Sequence, residues 1–255
     1  MIHVCWAIAL ACLFGVAPAW ADAGAPTKPV YAVLSVIGDK VDVIVPRSLP
    51  GQDHAAFRGE VSVKEGVFDA VVVDAASRAI WAVLPKTEIA QLAVRGKSLY
   101  EKQAEWFAET GGKIRIPQEV QDGAKQQGAT HLVLVLKQRA PVAWTTAGGG
   151  KSKAGARFRG SGEGLGFVID VPTGAEGEIV PFAHLQVLII DLASRTVVGR
   201  NPVAVANAIP TEAPNADLAW RDFSAWQKAR VLEFLIRDHV GMAVQSLFEL
   251  MVPAN

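Results

Sequence analysis

The sequence predicts an α/β protein in which one mixed β-sheet is flanked by helices and a long C-terminal helix packs on the sheet. Three observations predict this class. A continuous apolar run at 131–136 is typical of a strand buried on both faces in the centre of a sheet. Apolar residues recur at helical spacing over 68–84. They recur in the same way over 232–248, after a signal for the start of a helix.

The N-terminal residues have the pattern of a secretion signal. Residues 2–20 contain no Lys, Arg, Asp or Glu, and Ala19-Trp20-Ala21 places small residues where signal peptidase requires them. We therefore expect a signal peptide over 1–21, one α/β domain over 22–255, and a periplasmic or secreted protein. An uncleaved membrane anchor is the alternative, because the apolar run is about as long as the roughly 20 residues that span a bilayer.

Cysteine positions and charge restrict the chemistry of the mature chain. Both cysteines, Cys5 and Cys12, lie within the predicted signal, so the mature chain has no disulfide and no thiolate site. The 25 basic and 25 acidic residues all follow the signal, and this balance argues against nucleic acid as a partner. No second apolar run has the length of a transmembrane segment, so none is expected.

The N-terminal half is predicted to contain, in order, strands at 31–36 and 40–45, a loop at 47–58, a helix at 68–84, a strand at 89–94, and helices at 98–107 and 117–127. Gly38-Asp39 stands between the first two strands and is typical of a hairpin turn. Pro85 ends the first helix.

The C-terminal half is predicted to contain strands at 131–136, 138–144, 167–171, 183–192 and 196–198, a Gly/Lys/Ser-rich loop at 145–156, a loop at 202–214, and a terminal helix. Ser224 and Gln227 form a capping box that starts this helix. Its apolar stripe is expected to cover one face of the sheet. No interdomain linker is visible.

Four glycines alternate along one segment, at Gly160, Gly162, Gly164 and Gly166. The spacing of a dinucleotide-binding loop is not met, because larger residues stand where its last glycine is required. In an extended strand, a period of two leaves one face without side chains. We therefore predict close packing against this face by a helix, an aromatic ring or a ligand.

The strongest charge asymmetry is a run of basic residues that no acidic residue interrupts before Glu163. In a hairpin they would form a basic surface with an aromatic anchor, suited to anionic lipid headgroups, lipopolysaccharide phosphates or a partner protein of the envelope. A solvated loop without a ligand is the alternative. The candidate binding residues are Lys137, Arg139, Trp144, Lys151, Lys153, Arg157 and Arg159.

The sequence shows no pattern of a catalytic, metal or cofactor site. Gly148–Ser152 ends like a phosphate-binding loop, but Thr145 stands where that loop needs its first glycine. Lys40 follows Gly38-Asp39 at the place where a lipase-like turn has its serine. We therefore expect no catalytic residue, no metal and no cofactor, and a non-enzymatic role in interaction or assembly.

A periplasmic hydrolase with a site gathered from distant loops is the alternative function. This alternative predicts a cleft that brings a histidine within hydrogen-bond reach of both a carboxylate and a hydroxyl group. The candidates for that histidine are His54, His131 and His184. His239 lies on the apolar stripe of the last helix and is expected to be packed there.

Two segments resemble known envelope proteins. Gly128–Val135 resembles the glycine-alanine-led apolar strand of the family that includes the curli-secretion lipoprotein and the amino-terminal domain of the Tol-system β-propeller protein. Leu188–Val198 resembles the later strand–Asp–turn–strand hairpin of that family, whose domains also end in a helix. More broadly, the chain resembles uncharacterised exported proteins of proteobacteria. The resemblance implies a mixed sheet flanked by helices and a role in assembly or interaction.

Overall fold

The computed structural model of the chain describes residues 28–49, 52–64, 66–93, 98–143, 160–170, 178–210 and 220–251. These residues form one domain, a mixed α/β fold in which a long C-terminal helix packs on a large sheet, as the sequence predicts. The predicted signal peptide lies outside the described residues. So do the predicted loop at 145–156 and five of the candidate binding residues, Trp144, Lys151, Lys153, Arg157 and Arg159.

Twelve strands and five helices lie entirely within the described residues. The strands are β1 (Tyr31–Ser35), β2 (Lys40–Leu49), β3 (Gln52–Ser62), β4 (Ile89–Leu92), β5 (Glu109–Thr110), β6 (Lys113–Ile114), β7 (His131–Lys137), β8 (Arg139–Val142), β9 (Gly160–Asp170), β10 (Glu178–Asp191), β11 (Thr196–Ala206) and β12 (Ile209–Pro210). The helices are α1 (Val67–Val83), α2 (Ser98–Glu101), α3 (Gln103–Trp106), α4 (Gln118–Gln126) and α5 (Ala225–Met251). None of these helices combines the length and the apolar character needed to cross a bilayer.

Three parallel strands form the centre of the sheet, with β1 between β4 and β7. Every residue of β1 is buried, and so are the five residues at 132–136 of β7. The strand predicted from the apolar run at 131–136 is therefore confirmed. Parallel neighbours cannot be joined by a tight turn, and helices occupy both connections here: α1 precedes β4 and α4 precedes β7.

The long strand β10 joins the parallel centre to an antiparallel half. Its first part pairs with β9 and its second part pairs with β7, both along the same edge. Its other edge pairs mainly with β11. Beyond β9 the sheet continues through β2 and ends at β3. The sheet therefore forks at β10.

Alternate residues of the central strands feed two cores on opposite faces of the sheet. On one face Val33 and Val133 pack with α1 and α5. On the other face Leu34 and Leu134 pack with α2 and α4 and with the segment around β6. In α5, eight residues of the apolar stripe are buried. The prediction that the last helix covers one face of the sheet is therefore confirmed.

The start of α5 is the predicted capping box. The Gln227 backbone N–H donates to Ser224 Oγ at 3.2 Å, and the Ser224 backbone N–H donates to Gln227 Oε1 at 2.8 Å. Two backbone donors that the helix leaves without a carbonyl partner are satisfied in this way.

The predicted hairpin between the first two strands is wrong. Gly38 does take a left-handed φ of 72°. The chain nevertheless leaves β1 without folding back, since β1 pairs with β4 and β7 while β2 pairs with β3 and β9. The loop predicted at 47–58 is also wrong, because β2 runs to Leu49 and β3 starts at Gln52, so this segment is itself a hairpin.

The loop predicted to begin at Pro202 is wrong as far as Ala206, where β11 continues instead. Pro202 lies opposite Gln186 of β10. At this point the other edge of β11 has no pairing strand among the described residues. A proline is tolerated in an edge strand because its missing N–H removes no bond from an outer neighbour.

Candidate functional site

A charged cleft of about 380 Å³ opens where β7 ends and β2 begins. Its ionic side chains come from five strands: Lys40 and Asp42 of β2, Arg58 and Glu60 of β3, Lys137 of β7, Arg139 of β8, and Glu163 of β9. Two of the predicted binding residues, Lys137 and Arg139, therefore lie together in this cleft. We refer to it below as the charged cleft.

The charged cleft adjoins a favoured position for ligands in an α/β sheet. Lys137 is the last residue of β7, and Lys40 begins the strand that follows β1. Because β1 and β7 are parallel, their carboxyl ends meet at this edge. The helix α1 leads the chain into β4, which lies on one side of β1. The helix α4 leads it into β7, which lies on the other side of β1, and α4 packs on the opposite face of the sheet from α1. Ligands of open α/β sheets bind at such points, where the strand order changes direction.

The end of β7 is fixed by hydrogen bonds to its backbone. The Gln103 side-chain amide donates to the Lys137 carbonyl at 3.1 Å and accepts from the Lys137 N–H at 3.1 Å. Gly164 lies beside the Lys137 side chain with a φ of 67°, and a Cβ at Gly164 would stand 3.0 Å from Lys137 Cδ. The absence of a side chain at Gly164 therefore leaves room for the Lys137 stem.

The end of β1 is fixed by a buried carboxyl group in the first turn of α1. Ser35 Oγ donates to Asp69 Oδ1 at 2.5 Å, and the Ile37 N–H donates to the same oxygen at 2.9 Å. The Tyr100 side chain and the Gly38 N–H also favour the ionised form of this carboxyl group. Burial raises the pKa of Asp69, and these hydrogen bonds oppose that shift. The two hydrogen bonds tie the end of β1 to the first turn of α1.

Only some of the charged side chains in the cleft form ion pairs. Lys40 Nζ lies 3.1 Å from Glu60, and Arg139 Nε lies 3.7 Å from Glu163; both pairs are exposed. Exposed pairs of this kind stabilise a fold by about 0–1 kcal/mol. Arg58 instead donates to the Ser161 carbonyl at 2.6 Å. Within the described part of the chain, no carboxylate lies within ion-pair distance of Arg58 or Lys137.

Asp42 is the half-buried acid of the charged cleft. Burial raises its pKa, while a hydrogen bond from the Glu163 N–H and the charges of Arg58 and Lys137 act in the opposite direction. With four cations and three carboxylates, the cleft has a formal charge of +1 when Asp42 is ionised. Protonation of Asp42 makes that charge +2.

The sequence did not identify the cleft residues on β2 and β3. The predicted loop at 47–58 includes Arg58, and no sequence pattern predicts the pairing of β2 with β3. A signal does exist, because Lys40 and Asp42 alternate with valines, and Arg58 and Glu60 are also two positions apart. In a strand that period places both members of each pair on one face. Only the hairpin register, which sets Asp42 opposite Glu60, brings the two pairs together.

The bare face of the alternating glycines is covered by an aromatic ring. A Cβ built at Gly162 would lie 2.5 Å from ring atoms of Phe182, and one at Gly166 would lie 2.3 Å from Phe182 Cζ. Phe182 is completely buried on β10, directly opposite Gly166. The predicted close packing is confirmed, with the ring as the occupant. The start of β9 also pairs with β8 in an antiparallel arrangement, in which Val142 lies opposite Gly160.

The described histidines do not form the catalytic arrangement that the hydrolase alternative requires. His131 Nδ1 lies 2.9 Å from Thr130 Oγ1, but its Nε2 lies 4.0 Å from Asp191 Oδ2, which is beyond hydrogen-bond distance. Asp191 Oδ1 accepts two bonds of 2.7 Å from Ser194 and so closes the turn after β10. His184 is buried, and its Nδ1 bonds to the Gly162 carbonyl at 3.1 Å.

The structure does not describe the side chain of His54. His239 is half-buried on α5. Across the described ranges, no three or more His, Cys, Asp or Glu side chains converge in a group that would hold a metal ion.

No protein family and no curated protein matches this chain. Distant similarity exists to solved bacterial structures. A DUF330-family protein from Xanthomonas campestris is 10% identical, with 89% of this chain and 91% of that chain covered and a TM-score of 0.36. PelC from Paraburkholderia phytofirmans, solved as a dodecamer, is 10% identical over 86% and 88% of the chains with a TM-score of 0.30. Protein CT253 from Chlamydia trachomatis is 12% identical over 86% and 99% with a TM-score of 0.31. Similarity at this distance assigns the chain to no family.

Proposed function

We propose that this chain is an exported, non-enzymatic protein of the bacterial cell envelope that binds an anionic surface. The proposed binding surface consists of the charged cleft and the basic residues of the connection between β8 and β9, residues 143–159. The observation that carries the proposal is the convergence of Arg58 and Lys137, from two different strands, on a cleft in which neither has a described carboxylate partner. Phosphate oxygens of lipid headgroups or lipopolysaccharide are suitable partners for such groups.

The connection between β8 and β9 contributes further basic residues to the proposal. The strand β8 ends at Val142 and β9 begins at Gly160, and these two residues are directly paired. The other end of this strand pair, where Arg139 lies opposite Glu163, lines the charged cleft. Four more basic residues lie along the connection: Lys151, Lys153, Arg157 and Arg159.

Export and an envelope location are part of the same proposal. They are supported by the signal pattern over residues 1–21 and by the resemblance of two segments to the curli-secretion lipoprotein and the Tol-system protein. The mass of the protein isolated from its natural host tests this part. A chain that begins at Asp22 supports export with cleavage. A chain that retains residues 1–21 contradicts cleavage and favours the uncleaved membrane anchor.

Binding to vesicles tests the anionic-surface proposal. The purified protein is sedimented with vesicles of phosphatidylglycerol and phosphatidylcholine, and with vesicles of phosphatidylcholine alone, at increasing salt. We expect binding only to the anionic vesicles, and we expect salt to weaken it. Replacement of Lys137 and Arg139 by Ser removes two charges worth roughly 1 kcal/mol each near such a surface, so partition is expected to fall about thirtyfold.

The matched control removes two exposed lysines elsewhere, Lys113 of β6 and Lys125 of α4. It makes the same change in net charge, and we expect it to leave vesicle binding almost unchanged. Equal loss of binding in both double variants would show that net charge, and not the cleft, attracts the protein. Equal binding to neutral and anionic vesicles would refute the proposal.

A further inference from the structure

The strand β3 ends the sheet and offers a free edge. One side of β3 pairs with β2, and among the described residues no strand pairs with its other side. Two large apolar side chains are exposed on it, Phe57 at 57% and Val61 at 47%. An exposed strand edge with apolar side chains favours pairing with another strand, because its backbone donors and acceptors already have the required spacing.

The sequence of this edge is complementary to itself. If Gly59 stands opposite Gly59 of a second copy in an antiparallel pair, Arg58 of each chain lies opposite Glu60 of the other. In the same register, Phe57 lies opposite Val61, and each contact occurs twice because the pair has two-fold symmetry. Opposite charges, and an aromatic residue beside a β-branched one, are favourable cross-strand pairs.

The two faces of β3 agree with this register. Arg58 and Glu60 lie on the face of the charged cleft, whereas Phe57 and Val61 alternate with them onto the other face. The two-fold axis of an antiparallel pair is perpendicular to the sheet, so each side chain meets a partner on its own face. Glu60 can keep its exposed pair with Lys40 while it faces a second cation, because a carboxylate has two oxygens.

From this complementarity we propose that β3 pairs with β3 of a second copy of this chain, antiparallel and centred on Gly59. The two sheets then form one continuous sheet. The two charged clefts come to lie side by side on the same face, because Arg58 and Glu60 line both the cleft and the new contact. In the dimer Arg58 gains a carboxylate partner, Glu60 of the second copy, so self-association and anion binding at the charged cleft share this residue.

Paired charge reversals test the register. In R58E, two acidic residues of each chain meet two acidic residues of its partner, and in E60R two basic residues meet two basic residues. We expect each variant alone to dissociate at least about tenfold more readily than the natural protein in sedimentation equilibrium. In an equimolar mixture every cross-strand charge pair is again opposite, so we expect a mixed dimer, detected by a fluorescent label on one variant.

Substitution of exposed apolar residues provides a test that does not alter the cleft. F57K places a charge on the exposed face of β3, and F234K places one at a still more exposed position of α5, where Phe234 is 66% exposed. We expect F57K to weaken the dimer and F234K to leave it intact, with unchanged circular dichroism for both. A natural protein that stays monomeric at high micromolar concentration overturns the proposal. So does a mixture of R58E and E60R that forms no mixed dimer.

Discussion

Replacement of Gly166 by Ala tests the packing that joins β9 to β10. A Cβ at this position would lie 2.3 Å from Phe182 Cζ and 2.6 Å from the backbone oxygen of Asp42. The backbone of Gly166 is not left-handed, so the cost is steric. Insertion of one methyl group into a well-packed core costs typically 1–3 kcal/mol. Because the Asp42 oxygen belongs to a paired strand and cannot move alone, we expect a loss near the upper limit, about 3 kcal/mol.

Gly162 provides the comparison, because there the obstruction is made of side chains only. Its Cβ would meet Phe182 ring atoms at 2.5 Å and Val142 Cγ2 at 3.2 Å. Gly162→Ala is therefore expected to cost about 1–2 kcal/mol. Phe182→Leu removes the ring atoms that obstruct both positions. In that background the cost of Gly162→Ala should nearly vanish, whereas that of Gly166→Ala should persist because the Asp42 oxygen remains.

The assay is urea unfolding followed by circular dichroism for the single variants and for both double variants. The free energies give the coupling of each glycine to Phe182, which for contacting residues is about 0.5–3 kcal/mol. Gly241→Ala is the control, since the added Cβ would meet nothing within 4 Å beyond the adjacent backbone of α5, and it should stabilise the protein by roughly 0.5–1 kcal/mol. A neutral Gly166→Ala, or equal rescue of both glycine variants by Phe182→Leu, would refute the packing argument.

Three further predictions concern the last helix and two buried ionisable groups. Leu235→Ala, at a position only 3% exposed, should lower the free energy of unfolding by roughly 2–5 kcal/mol in urea titration, and a negligible loss would mean that α5 is not docked there. Burial lowers the pKa of His184 in the folded protein, so the unfolded chain takes up its proton first as the pH falls through 6.5. The free energy of unfolding should fall over that window, and His184→Gln should remove this part of the slope; an unchanged slope would show that His184 does not titrate differently on unfolding. Burial raises the pKa of Asp42, so binding to anionic vesicles should strengthen as the pH falls from neutral through that raised pKa. Asp42→Asn should bind the vesicles more strongly already at neutral pH. The exposed control Asp122→Asn should behave as the natural protein. If Asp42→Asn binds no more strongly than the natural protein, Asp42 does not have this role.

Elements that bury one continuous surface were predictable from the sequence. Residues 131–136 and the apolar stripes of α1 and α5 meet the core along their whole length, so burial imposes a period that the sequence displays. β3 was missed for the opposite reason. Its apolar residues Phe57 and Val61 are exposed, so the strand contributes little to the core and its period is weak.

The charged cleft was predictable only where a single segment supplies it. Lys137 and Arg139 belong to a basic run that is visible along the chain. Arg58 and Asp42 join them through the pairing of β2 with β9 and with β3. The pairing of β2 with β9 is long-range, and nothing local in either strand specifies its partner. The same holds for Phe182, whose fit to Gly162 and Gly166 appears only when β9 lies beside β10.

The forked sheet also determines the order in which this chain can acquire structure. The central strand β1 has no neighbour close in sequence, and its first contact with the segment that leads into β7 joins Val30 to Thr130 across 100 residues. Closing loops of that length is entropically costly, and proteins dominated by such contacts fold slowly. Both arms of the fork converge on β10, so a nascent chain that stops before Glu178 lacks the strand that unites them. We therefore expect the two arms of the fork to dock only after β10 has been synthesised.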